Sequence, residues 1–430
     1  MYRLRLILVL VMIRCWIYSQ DVPFLLMDSS IVSTYAHPGM PFGKNVNIAI
    51  ANIQGNINSG DIIYTNLVSE NASGQRFLDI NPDNYKRGES HNLSWSTDLH
   101  SFDLGIHFGR IGLMVGHAFR HFGQVSFNSD LLLLYSQGNQ PYIGESLNLS
   151  VTPNITAMNE VYLGGQMPIK SFSFGLKVKL LYGTANSYAE KGDLGLYTDD
   201  DYYALTLSKN YILRSSSLVR YYENDSITFD LPKVTFDNFF YNNRGFALDF
   251  GIYGKIADNI YLSLGATDIG KINWDFTPRK YAAQGESTFS GYDIVEVLRD
   301  STSFSISDSL SQLLDVQRSI ENYSTSLKGN YNFGLKYITN KWVFGGFFQY
   351  NALFEDPVYH GTLSAVRKFK FLDLGLSYSA YSHSYNNLGV MLQVKMSPIY
   401  FYVSTDNLFS LLNPEMISNL SGNFGITSRF

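Results

Sequence analysis

The chain has 430 residues, a single cysteine, and 32 Lys+Arg against 37 Asp+Glu, a formal charge of −5. That balance leaves no basic footprint for nucleic acid, and one thiol excludes both a disulfide framework and a thiolate metal site. Aromatics are abundant but unevenly chosen, 31 Tyr and 30 Phe against 4 Trp, with 35 Gly and a mean hydropathy close to zero. This suits a transmembrane barrel, whose strands are apolar on one side and whose interfaces carry aromatic girdles. A soluble all-β protein has a similar composition, so the strand pattern decides.

The first 19 residues carry Arg3 and Arg5, an apolar run from Leu6 to Ile13, and a polar exit at Tyr18-Ser19-Gln20-Asp21. That is the layout of a cleaved signal peptide, and the run is too short to span a membrane. Cys15 follows Arg14 rather than a small residue, which argues against a lipoprotein cleavage site. The mature chain then has no cysteine and, without Arg3, Arg5 and Arg14, 29 basic against 37 acidic residues, a charge of −8.

Residues 20–44 are not strand-like. Pro38, Gly39, Pro41 and Gly43 stand too close together for a regular ladder, so this segment reads as a periplasmic leader or as a plug folded into a barrel. Residues 45–430 read as one barrel domain with no repeat of fixed period. The first strand covers 45–57, with Val46, Ile48 and Ile50 on one face, and 61–89 is a loop with local structure. In 101–109, Phe102, Leu104, Ile106 and Phe108 oppose Asp103, Gly105 and His107. After a turn at Gly109-Arg110, Ile111, Leu113, Val115 and Phe119 oppose Gly112, Met114, Gly116 and Arg120. Period-two alternation on both sides of a short turn marks a hairpin. Leu131 to Leu134 break the period and predict a short buried helix or an inward constriction.

The clearest strand is 171–183, with Phe172, Phe174, Leu176, Val178, Leu180 and Tyr182 opposite Ser173, Gly175, Lys177 and Lys179. Two lysines in a dry core are costly unless paired; in a wet lumen they need little explanation. Residues 188–241 read as a long polar loop with a strand at 202–213. A hairpin follows, Phe246, Leu248, Phe250 and Ile252 leading to Ile260, Leu262, Leu264 and Ala266. Alternation then fades to 327, with helical spacing of Leu310, Leu313, Leu314, Gln317 and Ile320 predicting a loop helix. Regular strands return around Phe333, Trp342, Leu374, Val390 and Ile399. The last eight residues alternate Phe424, Ile426 and Phe430 with Asn423, Gly425, Thr427 and Arg429. This ending resembles the C-terminal strand of outer-membrane barrels, which closes the sheet against the first strand, and closure matters because lipid cannot satisfy an open edge. The expectation is an all-β transmembrane antiparallel barrel of about 14 strands (roughly 12–16), with an N-terminal plug or leader and long extracellular loops, one holding a helix.

Tyr35-Ala36-His37-Pro38, the segment Asp268-Ile269-Gly270-Lys271-Ile272-Asn273-Trp274, Phe289-Ser290-Gly291, Asn387-Leu388-Gly389 and Gly422-Asn423-Phe424-Gly425-Ile426 together resemble a family of uncharacterised Bacteroidetes outer-membrane barrels, a conserved domain of unknown function. More distantly the chain is similar to FadL-type fatty-acid channels and the PorV-type barrels of Bacteroidetes secretion. The resemblance implies a fourteen-stranded barrel with an N-terminal plug and no transferable catalytic residues. It also implies that Phe424, Ile426 and Phe430 form the C-terminal signal read by the barrel-assembly machinery. His37 stands where the family usually has Asn.

By parity Asp103, Lys177, Lys179, Asp249, Lys255, Lys336, Asp373 and Lys395 line the interior. Mixed charges there mean either an aqueous selective channel or a salt-bridged network that holds a plug. His383-Ser384 with Asn386 resembles a Ser-His-Asn set, but adjacent strand residues point to opposite faces. Asp199-Asp200-Asp201 lacks the Gly and distal Glu of a calcium loop and reads as a solvated turn. His100, His107, His117 and His121 are close in sequence, His100 and His107 on opposite faces by parity. The resulting expectation is a non-enzymatic outer-membrane barrel with no cofactor and no metal, exported to a Gram-negative outer membrane. It transports a small molecule, hydrophobic ligands included, or else serves as an accessory scaffold for a protein partner in a secretion complex.

Overall fold

A computed structural model describes residues 30–430 apart from 44, 61, 63, 72, 222–226, 230–234, 290–312, 355–356, 382–383 and 410–418. Fourteen strands form the wall: β1 (Val46–Asn58), β2 (Ser90–Phe108), β3 (Ile111–Asn128), β4 (Val151–Ile169), β5 (Phe172–Thr198), β6 (Arg244–Ala257) and β7 (Ile260–Trp274), then β8 (Tyr323–Ile338), β9 (Trp342–Asn351), β10 (Val358–Lys368), β11 (Leu372–Tyr381), β12 (Ser384–Met396), β13 (Ile399–Thr405) and β14 (Asn419–Arg429). Each pairs antiparallel with the next, and β14 returns to β1 with Asn47 opposite Arg429 and Asn58 opposite Asn419. The sheet is therefore closed, as the terminal alternation predicts, and the strand count is the expected one.

Period-two patterning sorts the side chains. Along β5, Leu176, Val178 and Leu180 are 44–52% exposed while Lys177 and Lys179 are 2% and 4% exposed. An apolar exterior with a polar interior reverses the soluble arrangement and matches a lipid-facing wall. Connections at one end are short, as at Gly109-Arg110 and Ser397-Pro398. The other end carries 59–89, 129–150, 199–243 and 275–322.

Two of these long connections build a second storey. The strand Leu205–Ser216 pairs with the distal half of β5 and with the strand Pro278–Phe289, taking over where β6 and β7 stop. Asn243, at φ 49°, makes the junction. Its amide donates to the Gly183 carbonyl at 3.0 Å, and its oxygen accepts from the Asp275 and Phe276 N–H groups at 3.0 and 2.9 Å.

Leu131 to Leu134 belong to helix α1 (Ser129–Gln137), capped by the Asn128 side chain. It packs Leu133 against Ile80 and Tyr85 at the long-loop end, so it is a loop helix and not a constriction of the lumen. Of the helix expected around 307–322, Leu313 and Leu314 are helical. Residues 290–312 lie outside the described residues, and Gln317–Ser319 form a short strand against Lys280–Ala282. β4 and Pro278–Phe289 are strands that the sequence pattern did not reveal.

Candidate functional site

Residues 30–43 run inside the barrel in its short-turn half. Ser30, Ile31, Val32, Ser33, Thr34 and His37 are each 0% exposed. A 3-10 turn, Ile31–Thr34, starts the segment, and Ile31, Val32, Met40 and Phe42 share one apolar cluster with Met114, Tyr162 and Tyr402 of the wall. Backbone carbonyls that have no ladder partner are met by inward side chains. Lys177 Nζ donates to Thr34 O at 2.7 Å, Asn332 to Ala36 O at 2.7 Å, and Gln166 to Met40 O at 2.9 Å. His107 Nε2 lies 3.0 Å from Phe42 O. Close approach depends on glycine: a Cβ on Gly175 would collide with the Pro38 carbonyl, and one on Gly251 with the Gly39 backbone.

Asp103 anchors the turn of this segment. It accepts from the Tyr35 hydroxyl through one oxygen and from Tyr162 at 2.5 Å through the other, with His100 Nδ1 at 3.4 Å. The Tyr35 ring stacks on His100 at 3.6 Å. Parity puts His100 and His107 on opposite faces, but a bulge between His100 and Phe102 resets the period, and both turn inward. His117 lies on the outer face, and the four do not converge. Among the described residues no group of His, Cys, Asp and Glu is placed to hold a metal ion.

Next to that anchor is a buried charge network. Arg120 reaches Asp268 at 2.6 Å, Asp98 at 3.0 Å and Glu160 at 3.1 Å. Lys179 reaches the same Asp268 at 2.7 Å, Asp249 at 2.9 Å and Glu160 at 3.4 Å. Asp249 also accepts from the Asp268 backbone N–H at 2.8 Å. Four carboxylates thus share two cations, with Lys177 behind them. Such a cluster persists in a low-dielectric interior only when every charge is paired and hydrogen-bonded.

Of the charged residues picked out by parity, Asp103, Lys177, Lys179 and Asp249 come together here. Lys336 is buried elsewhere on the inner face, 5.9 Å from the Tyr253 and Phe347 rings. Asp373 and Lys395 pair with each other at 2.8 Å near the short turns. Lys255 is exposed at a turn and bonds Asp258, so it does not line the lumen. Phe424 and Phe430 stand exposed on the outer face. Asp199 accepts from the Asp201 and Tyr202 N–H groups in an exposed turn, and His383 lies outside the described residues.

Sequence reasoning missed Asp98, Glu160 and Asp268 and did not weigh Arg120. Asp268 is inward only because β7 bulges there, with φ 61°, and Glu160 lies on β4, in continuous register with β3.

Above the anchor a cavity of about 80 Å³ opens towards the long-loop end, room for several waters. Tyr35, His100 and Lys177 border it below, Asp98, Arg120, Glu160, Lys179 and Asp268 line the side, and Phe122, Leu353 and Phe354 stand near the top.

One family model matches residues 38–406. The chain belongs to that family, DUF5723, a family of unknown function. No curated protein matches it. Among solved structures, this DUF5723 barrel is similar to the Pseudomonas putida toluene transporter TodX, with 10% identity, 96% of this chain and 93% of that one covered, and a TM-score of 0.39. A Pseudomonas aeruginosa FadL homologue gives 9% identity, 94% coverage of both chains and a TM-score of 0.41. The Ralstonia pickettii toluene transporter TbuX gives 11%, 93% of both and 0.34. The barrel assignment itself rests on the closed ladder of this chain.

Proposed function

We propose that this DUF5723 chain is an outer-membrane transport barrel whose N-terminal segment closes the short-turn half of the lumen. The observation that carries the reading is the seat of residues 30–43, hydrogen-bonded to four separate strands and buried beneath an open polar cavity. In outer-membrane barrels the short turns face the periplasm and the long loops face outward, so the segment enters from the periplasm and the cavity faces the exterior. Residues 1–19 act as the export signal, and Phe424, Ile426 and Phe430 present the C-terminal strand to the assembly machinery.

The lining favours a small hydrophilic solute over an apolar one. An apolar molecule would have to desolvate Arg120, Lys179 and their carboxylates without replacing any hydrogen bond.

Single-channel conductance in a planar bilayer tests the reading, first on the full mature chain and then on a variant lacking residues 20–44. The expected result is little or no current with the segment seated and steady conductance after its deletion. Silence in both would overturn transport through the lumen and favour an accessory barrel that holds a protein partner.

A further inference from the structure

On three neighbouring strands the outer wall carries polar side chains set among apolar ones. On β2, β3 and β4 the outward positions include Leu99, Phe102, Leu113 and Leu163, all exposed. Among them stand Ser101, His117 and Asn159. Polar side chains facing lipid are costly and, where they occur, mark function.

We propose that Ser101, His117 and Asn159 form a site on the membrane-facing wall that hydrolyses acyl esters of membrane lipids. This rests on the outer-membrane placement proposed above but not on transport.

The backbone aims the first member. Opposite β3, His100 pairs with Ala118 and Phe102 with His117, and opposite β1, Phe102 pairs with Ile50 and His100 with Asn52. Ser101 is the residue left over, and Ala51 across from it has φ 53°. A bulge re-aims one side chain, and here it turns Ser101 outward beside Phe102. Ser101 Oγ lies 2.8 Å from His117 Nδ1.

Asn159 completes the row. It sits diagonally from His117 across the β3–β4 ladder, where His117 pairs with Val161 and Phe119 with Asn159. Asn159 is 0% exposed. Neither its amide atoms nor His117 Nε2 closes a full hydrogen bond among the described residues. Catalytic hydrogen bonds are often long in a free enzyme and tighten with substrate. A proton on Nε2, directed at the Asn159 oxygen, leaves Nδ1 free to take the Ser101 proton, the nucleophile, base and orienter logic of acyl transfer.

A short aromatic helix, Phe236–Phe240, packs on the outer face of the wall over His117 and Asn159. The Phe240 ring lies 5.4 Å from His117, and Phe239 lies 6.0 Å from Phe119. Ser101 itself remains exposed. The site is therefore open to a lipid at its Ser101 end, beside the helix, where the rings would accept an acyl chain.

In the reaction Ser101 Oγ attacks the ester carbonyl carbon while its proton passes to His117 Nδ1. The carbonyl-to-alkoxy bond breaks and that proton goes to the leaving alcohol. Water, deprotonated by the same nitrogen, then attacks the acyl-serine. Fatty acid leaves and the proton returns to Oγ. Asn159 is a positioning residue.

The test uses full-length barrel reconstituted in phosphatidylethanolamine and phosphatidylglycerol vesicles and treated with an alkyl fluorophosphonate. We expect mass spectrometry to find the adduct on Ser101, with release of free fatty acid from the vesicles. S101A and H117Q should lose release by at least about 100-fold while keeping the heat-dependent gel mobility of a folded barrel. N159A should slow release, and N159D should restore it with the acid limb of the pH profile moved to higher pH, because a carboxylate stabilises the imidazolium. A barrel that floats with the vesicles but shows neither adduct nor release above S101A would overturn the site alone. A barrel that does not float would overturn the membrane placement and the site with it.

Discussion

Lys177 Nζ donates to the Thr34 carbonyl at 2.7 Å, and the same ammonium lies 4.3 Å from the centre of the Tyr162 ring. A fully buried cation is thus held by the luminal segment and an aromatic face. A hydrogen bond to a charged group contributes about 1.5–3 kcal/mol. Replacing Lys177 by Met keeps the length of the side chain and removes that bond. The segment should then unseat more often, by roughly tenfold or more, since local openings follow local free energy. Maleimide labelling of a cysteine placed at Ser33 measures this; an unchanged labelling rate would show that Lys177 does not hold the segment.

Glycine sets a second, steric condition for the same seat. Gly175 faces inward, and a Cβ there would meet the Pro38 carbonyl and the Gly39 nitrogen, both backbone atoms that cannot swing away. Gly165 has only distant neighbours, the nearest at 3.8 Å. Gly175→Val should therefore raise conductance towards that of the variant lacking residues 20–44, whereas Gly165→Ala should conduct like the parent. Equal conductance in all the point variants would sink the idea that backbone contact seals this half.

The charge network predicts an asymmetry. Arg120 touches three carboxylates within 3.1 Å, so Arg120→Met leaves Asp268 and Glu160 with Lys179 and takes the cation away from Asp98. Breaking a buried pair by removing one partner costs about 3–5 kcal/mol. The midpoint of urea unfolding in detergent should fall accordingly, and adding Asp268→Asn should recover part of the loss. If the double variant is less stable than Arg120→Met, the carboxylates are not the source of the penalty.

Most of the wall was legible because outward Phe, Leu and Tyr alternate with Gly, Ser and Lys. Lys177 and Lys179 could be placed by counting alone. Counting failed wherever the backbone slipped by one. The bulge at Ser101 moved His100 to the face of His107, and the bulge at Asp268 turned a carboxylate inward; β4 and Glu160 were missed without a slip, because Met158 and Tyr162 also face inward and blur the alternation. A bulge costs a ladder partner and leaves no mark in a hydrophobic pattern, yet at these two places it re-aims a polar side chain. The second storey was illegible for another reason. Pro278–Phe289 pairs on both sides with loop strands, so neither face needs the apolar stripe that marks a lipid-facing strand.

The closing strand separates two roles that the sequence cannot. Phe430 N–H donates to the Val46 carbonyl at 2.9 Å, which any residue could do, while its ring stands 60% exposed on the outer face. An exposed ring adds little packing to a finished barrel. If the aromatic end is read during assembly, Phe430→Ser should lower the amount of folded barrel in cells several-fold and leave the unfolding midpoint of the purified protein within about 0.5 kcal/mol of the parent. Comparing yield in membranes with urea unfolding of the same variant decides the matter. Parallel losses in both would make Phe430 a stabilising contact of the seam, and an unchanged yield would remove it from the assembly signal, leaving Phe424 and Ile426 to carry it.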